Sequence, residues 1–166
     1  MTSQPTGHVL QLSTAEATGR LGSALGAALV PGLVVALVGD LGAGKTTLSK
    51  AAIAHQGAVD ADDVVSPTYV LAVEYPGRVE TLHIDAYRLE GPDSLLGLGY
   101  GPLDKTARAV LVEWADRIRS ALPEDRLEIE LDHHAGGRTA IVRALGPTSS
   151  AQLQALIDAD PALFTP

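Results

Sequence analysis

The chain has no cysteine among its 166 residues. Disulfides, thiol catalysis, iron–sulfur clusters and cysteine-ligated zinc are therefore excluded, and a reducing compartment is allowed. It has no asparagine either, which removes the Asn-Lys-x-Asp loop with which many GTPases read guanine. Positive charge is scarce: 12 Lys and Arg stand against 20 Asp and Glu, a net charge of −8. A protein that grips a nucleic-acid backbone unaided shows a basic face, because phosphate neutralisation supplies most of the affinity. Autonomous tRNA binding is not expected of this chain. The first seven residues carry neither a positive cluster nor an apolar core, so no secretory signal is read there, and residues 1–7 are expected to be flexible.

One uncharged run, Leu21 to Gly39, approaches membrane-spanning length. Pro31-Gly32 interrupts it, and its second half is the β-branched Leu33-Val34-Val35-Ala36-Leu37-Val38. A helix, a turn and a buried parallel strand account for it better than a span. The expectation is a cytoplasmic protein with no membrane segment.

The length suits one domain over residues 1–166. Ser13-Thr14-Ala15-Glu16 has capping-box spacing, and Leu21, Leu25, Ala28 and Leu29 share a helical face behind it. Strand 33–38 leads through a glycine-rich turn into a helix from about Lys45 to His55. Val70–Tyr75 and Val79–Asp85 flank Pro76-Gly77-Arg78 as a hairpin. Asp93–Leu98 predicts a short helix, Ala109–Glu113 a buried strand, and 115–122 a helical turn. A second hairpin joins the strand of Leu127, Ile129 and Leu131 to Thr139–Leu145, and Leu153, Leu156 and Ile157 mark a closing helix. The fold class is α/β: a P-loop NTPase-like three-layer domain whose mixed, mainly parallel central sheet carries antiparallel hairpins.

Gly39-Asp40-Leu41-Gly42-Ala43-Gly44-Lys45-Thr46 fits G-x-x-x-x-G-K-[ST] between a buried strand and a helix. Glycines there let backbone N–H groups wrap phosphate oxygens, and the helix N-terminus adds positive potential. Lys45 should reach the β- and γ-phosphates while the Thr46 hydroxyl ligates Mg²⁺. Gly42, Ala43, Gly44 and Thr47 complete the predicted cradle. A metal also needs carboxylates, and two end apolar strands: Asp85 after Leu82-His83-Ile84, and Glu113 after Val110-Leu111-Val112. Asp85 is followed by Ala86-Tyr87-Arg88 and so lacks the Asp-x-x-Gly switch of GTPases; ATP is the preferred nucleotide.

His83 reads as a packing residue or a partner of a backbone group, and Tyr69 and Tyr87 as half-buried aromatics. Arg88 is open between phosphate contact and a salt bridge. Trp114 is open between core packing and contact with nucleotide or partner, and His133-His134 reads as a solvent-facing turn.

These blocks occur in a fixed order: the glycine loop through Thr47, Ser66-Pro67-Thr68-Tyr69, His83-Ile84-Asp85-Ala86-Tyr87-Arg88, and Val112-Glu113-Trp114. The series resembles the TsaE (YjeE) family, from the N-terminal helix to Arg138. The resemblance implies an ATPase, weak without partners, that serves threonylcarbamoyladenosine modification of tRNA alongside TsaB-like and TsaD-like proteins. It further implies that Thr46 and Glu113 hold Mg²⁺ and that Asp85 acts in hydrolysis or behind the metal. Ser66, Pro67, Thr68 and Tyr69 would form a switch-like loop, with Trp114 as a partner or nucleotide contact and Arg138 as a nucleotide contact. Two other classes remain in view: a small-molecule P-loop kinase, for which Arg117 and Arg119 are a poor lid, and a nucleotide-gated binding module.

Overall fold

Thr14, not Ser13, starts the first helix: it has extended backbone angles, and its hydroxyl accepts from the Ala17 N–H at 3.1 Å. In the computed structural model, which describes residues 7–165, this helix is α1 (Ala15–Ala28), and an unforeseen strand β1 (His8–Leu12) precedes it. The expectation for residues 1–7 lies, Gly7 apart, outside the described residues. There follow β2 (Val34–Val38), α2 (Lys45–Ala54), β3 (Ala72–Tyr75), β4 (Thr81–Asp85), α3 (Pro92–Gly97) and β5 (Ala109–Glu113). A 3-10 segment, Ala115–Ala121, leads to β6 (Leu127–His134), β7 (Gly137–Ala144) and α4 (Pro147–Ala159).

The strands form one seven-stranded sheet in the order β1-β7-β6-β2-β5-β4-β3. Its middle is parallel, β2 lying between β6 and β5 with β4 beyond, and antiparallel pairs extend both margins. This is the mixed α/β architecture expected from the strand types. The apolar run 21–39 resolves into α1, the Pro31-Gly32 turn and β2. Among the described residues no helix is long and apolar enough to cross a membrane.

Alternation divides the core in two. Val35, Leu37 and Leu111 face α1, α2 and α4 together with Leu21, Leu25, Leu48, Ile53 and Leu156. Val34, Ala36, Leu82, Ile84, Val110 and Val112 face the opposite side, against Leu95 of α3 and Ala115 and Ile118 of the 3-10 segment. The layers are therefore unequal, three long helices on one face and short pieces on the other.

Helix α1 lies so close to α2 that side chains are excluded at the crossing. A Cβ on Gly22 would stand 2.4 Å from the Leu48 carbonyl oxygen and 2.7 Å from the Ala51 Cβ. Gln56 and Arg78 lock the same corner. The Gln56 amide donates to the Gly26 carbonyl at 2.8 Å, and the Arg78 guanidinium donates to it at 2.9 Å, so the orphan carbonyls at the end of α1 are answered by side chains. At the far end of the chain the Asp125 carboxylate accepts from the Thr148 and Ser149 N–H groups and caps α4.

Two local differences from the sequence reading have physical causes. β1 is short and at an edge, with Leu10 and Leu12 buried and the intervening residues exposed, so its period is visible over only five positions. β3 begins at Ala72 rather than Val70, because Leu71 takes a left-handed backbone (φ 69°) and its N–H turns back to the Pro67 carbonyl at 2.6 Å.

Alanine raises helix propensity over glycine by about 1 kcal/mol in an open helix interior. At Gly22 the sign should reverse: Gly22→Ala is expected to lower unfolding free energy by about 1–3 kcal/mol, as overpacking does. Urea denaturation reads this directly, and a more stable variant would show that α1 and α2 do not cross there.

Candidate functional site

The parallel register places the chemistry. Asp85 pairs with Glu113 and Glu113 with Leu37, so both carboxylates end their strands level with the last residues of β2. The next residues of β2 enter the glycine loop, which delivers Lys45 and Thr46 at the start of α2. Gly44, the residue before α2, has φ 108°, a left-handed conformation natural to glycine. Any Cβ there would also press on Thr18 and approach Arg138. The first helical bond runs from the Leu48 N–H to the Gly44 carbonyl, so the N–H groups of Lys45, Thr46 and Thr47 have no intrahelical partner.

Within this frame most predicted site residues meet. A cleft of about 210 Å³ is lined by Gly42, Gly44, Lys45, Thr46, Thr47, Thr68, Asp85, Glu113, Trp114 and Arg138, among others. The Thr46 hydroxyl donates to Glu113 Oε2 at 3.0 Å. Both Asp85 oxygens are engaged: Oδ2 accepts from the Thr68 hydroxyl at 2.8 Å and Oδ1 from the Tyr87 N–H at 2.9 Å. Asp85 thus ties the 66–69 loop to the sheet, and the Ser66 and Thr68 hydroxyls are 2.8 Å apart within that loop. Pro67 is buried, whereas Tyr69 is 85% exposed and points away from the cleft. Ala43 differs from its neighbours. Its methyl is buried, and its N–H closes the loop's own turn onto the Asp40 carbonyl at 3.1 Å.

Lys45 is held against the protein. Its ammonium donates to the Gly39 carbonyl at 2.5 Å and the Asp40 carbonyl at 2.8 Å, and lies 4.0 Å from the centre of the Trp114 ring. Burial lowers its pKa below the ordinary lysine value, opposed by the carboxylates of Glu113, Asp85, Asp116 and Asp40. An anion arriving at the loop would favour the charged form further. Trp114 reaches this position through a left-handed backbone (φ 55°), and Tyr87 packs on its ring at 4.9 Å with Arg117 beyond. Among the described non-glycine residues only Leu71 and Trp114 have positive φ; the Leu71 carbonyl accepts from the Asp85 N–H at 3.0 Å and Trp114 directly follows Glu113, so each adjoins one carboxylate. Strain of this kind collects where geometry is dictated by a site.

Arg138 stands at the lip. It shares the cleft with Gly44, and its Nε is a buried donor with no partner within the described residues. A guanidinium left open beside a glycine loop suits an anionic or polar ligand. The wider groove of about 770 Å³ between α1 and α2 is lined mainly by small side chains and lies away from this chemistry.

Several side chains depart from their sequence reading. Tyr69 is exposed rather than half-buried, and Arg88 lies 5.7 Å over the Tyr69 ring, in neither of the roles open to it. His83 is fully buried, in keeping with its reading as a packing residue, but its polar partner is not a backbone group: its Nε2 is 2.8 Å from Glu113 Oε1. Only half of the signal was in the sequence: His83 and Asp85 are two apart on a strand and share a face, but Glu113 comes beside them through the pairing of β5 with β4. His133 and His134 are solvent-facing, as expected, but they end β6, paired with Arg138 and Gly137, and the turn begins only after them.

A family model for the threonylcarbamoyl adenosine biosynthesis protein TsaE matches residues 12–142 of the chain. A Treponema pallidum protein named tRNA threonylcarbamoyladenosine biosynthesis protein TsaE is 34% identical over 131 residues, covering 79% of this chain and 96% of the relative. A Mycobacterium tuberculosis protein of the same name is 37% identical over 144 residues, 81% of this chain and 84% of the relative. The crystal structure of Bacillus subtilis YdiB superposes with a TM-score of 0.77 at 27% identity, covering 96% of this chain and 99% of that one.

The Lys45–Trp114 stack is testable without any ligand, because Trp114 is the only tryptophan. Lys45→Ala removes the ammonium from the ring face, so the emission maximum or yield should change while circular dichroism stays that of the parent. An unaltered spectrum would place the ammonium away from the indole.

Proposed function

The chain belongs to the TsaE family, which serves tRNA threonylcarbamoyladenosine biosynthesis, and on that premise we propose that it binds Mg-ATP and hydrolyses it slowly in support of that modification. The observation that carries this reading is the Thr46–Glu113 hydrogen bond at the N-terminus of α2, with Lys45 one residue before. A hydroxyl and a carboxylate facing each other at the mouth of a glycine loop are the donor set that P-loop enzymes offer to Mg²⁺.

The residues present fit both groups. Thr46 and Glu113 would hold the metal, whose chemistry is to neutralise charge on the phosphate oxygens. The N–H groups of Lys45, Thr46 and Thr47, with those of Gly42 and Gly44, cradle phosphates, and Lys45 exchanges the Gly39 and Asp40 carbonyls for phosphate oxygen. Arg138 turns its open Nε to the nucleotide. A cleft of about 210 Å³ lined by the glycine loop, Thr46 and Glu113 suits the phosphate end of a nucleotide and a metal. Asp85 acts on hydrolysis by holding Thr68 and the 66–69 loop over the cleft, where the loop can orient a water.

Among the described residues Arg138 is the one cation besides Lys45 that lines the cleft, and its reading as a nucleotide contact leaves no further cation there for the transferring phosphoryl group, which supports weak turnover in isolation. TsaB-like and TsaD-like partners would raise it by closing on Ser66–Tyr69 and Trp114, and the TsaD-like protein would carry out the transfer to tRNA. With a charge of −8 the chain would leave the grip on tRNA to those partners. Its place would be the cytoplasm.

Two measurements test this. Calorimetry with Mg-ATP should show binding by the parent and by Asp85→Asn within a few-fold, with Lys45→Ala weakened at least about tenfold. Phosphate release should fall at least about tenfold in Asp85→Asn and rise when both partners are added. Unaltered ATP affinity in folded Lys45→Ala removes the nucleotide site; partners that neither bind nor change turnover remove the assembly.

A further inference from the structure

Buried carboxylates need answering donors, and Glu113 is 2% exposed. One of its oxygens takes the Thr46 hydroxyl; the other, Oε1, faces His83 Nε2 at 2.8 Å. His83 is fully buried on β4, and its second ring nitrogen, Nδ1, has no partner among the described residues. An ionised carboxylate can only accept, so the Nε2–H donates to Glu113, and no group among the described residues answers Nδ1. A residue kept only for packing would be better apolar, because the bare nitrogen is a desolvated polar atom that stabilises nothing. Among the described residues the one polar partner of its ring is the Glu113 carboxylate.

Glutamate has three rotatable side-chain bonds, and a lone glutamate facing a cleft samples many orientations. The two hydrogen bonds remove that freedom: Oε1 is committed inward to the imidazole, and Oε2 is left directed at the Thr46 hydroxyl. The backbone adds a third restraint, since the Glu113 carbonyl accepts from the Ala86 N–H at 2.9 Å and ties the end of β5 to the end of β4. We propose that His83 is a positioning residue for the metal site, a clamp that fixes the Glu113 carboxylate so that one oxygen is presented with Thr46 to a divalent cation before nucleotide arrives. This rests on the Mg-nucleotide reading above. Partners that orient a ligating carboxylate or imidazole typically change metal affinity about 10–100-fold when removed. His83 should touch neither nucleotide nor metal, so its loss should leave nucleotide binding without metal intact.

The test uses Mn²⁺ as a paramagnetic stand-in, with free metal counted by electron paramagnetic resonance at saturating ADP, and ADP affinity measured separately in EDTA. His83→Leu keeps the bulk and removes the donor. It should bind Mn²⁺ about 10–100-fold more weakly and bind ADP in EDTA within about threefold of the parent. His83→Gln places an amide N–H near the Nε2 position and should recover most of the metal affinity. His83→Asn has an amide that stops short, near Nδ1, and should behave like the leucine variant. If His83→Leu does not fold, the contrast between Gln and Asn decides. Parental Mn²⁺ affinity in folded His83→Leu, equal affinity in Gln and Asn, or a parallel loss of metal-free ADP binding overturns the clamp. A parent chain that shows no ADP-dependent Mn²⁺ binding overturns instead the nucleotide reading on which it stands.

Discussion

The backbone ladder from β4 through β5 to β2 sets Asp85 opposite Glu113 and Glu113 opposite Leu37, and each contact at the site is measured from that rung. Because side chains alternate across a strand, a slip of one residue would turn His83, Asp85 and Glu113 away from α2 and into the opposite core. Leu82, Ile84, Val110 and Val112 resist such a slip, being buried in that other layer. The site is thus held in place by apolar residues that never touch it. The polar set His83, Asp85 and Glu113 tolerates burial because each side chain has a named partner in the others, in Thr46, in Thr68 or in the backbone.

The cleft is electrostatically unusual for an anion site. Lys45 is surrounded by acids, and Arg138 is the other cation lining it. On the proposed reading, neutralisation would come from backbone N–H groups and a metal held by Thr46 and Glu113, and the carboxylates are the reason a metal would be needed, since unscreened they would repel phosphate. Lys45 meanwhile is parked on loop carbonyls and on Trp114, so on the proposed reading nucleotide affinity would be the difference between two satisfied arrangements, not the gain of one.

The glycine loop, the strand ends carrying Asp85 and Glu113, and the fold class were all legible in the sequence, because each depends on local pattern: a glycine spacing, an apolar run, an acid at its end. What was missed depends on contacts between distant segments. β1 is recognised as a strand only through its pairing with β7. The role of His83 needs β5 beside β4. Leu71 and Trp114 adopt left-handed backbones that nothing in their residue types foretells, since tertiary contacts around Asp85 and Lys45 impose them. Ser13 and Thr14 both carry a hydroxyl suited to a cap, so residue type could not choose between them; the structure has Thr14 as the cap.

The antiparallel pairing of β1 with β7 has a practical consequence. Leu12 lies opposite Arg138, close to the loop, while His8 lies opposite Val142, farther along β7 from that rim. The His8 ring meets Phe164 edge-on at 5.7 Å, so the two ends of the described chain come together at that remote edge. Fluorophores, affinity handles or surface linkers attached at His8 or Phe164 would thus be borne along that edge, away from Arg138 and from the mouth around Thr68, Tyr87 and Trp114.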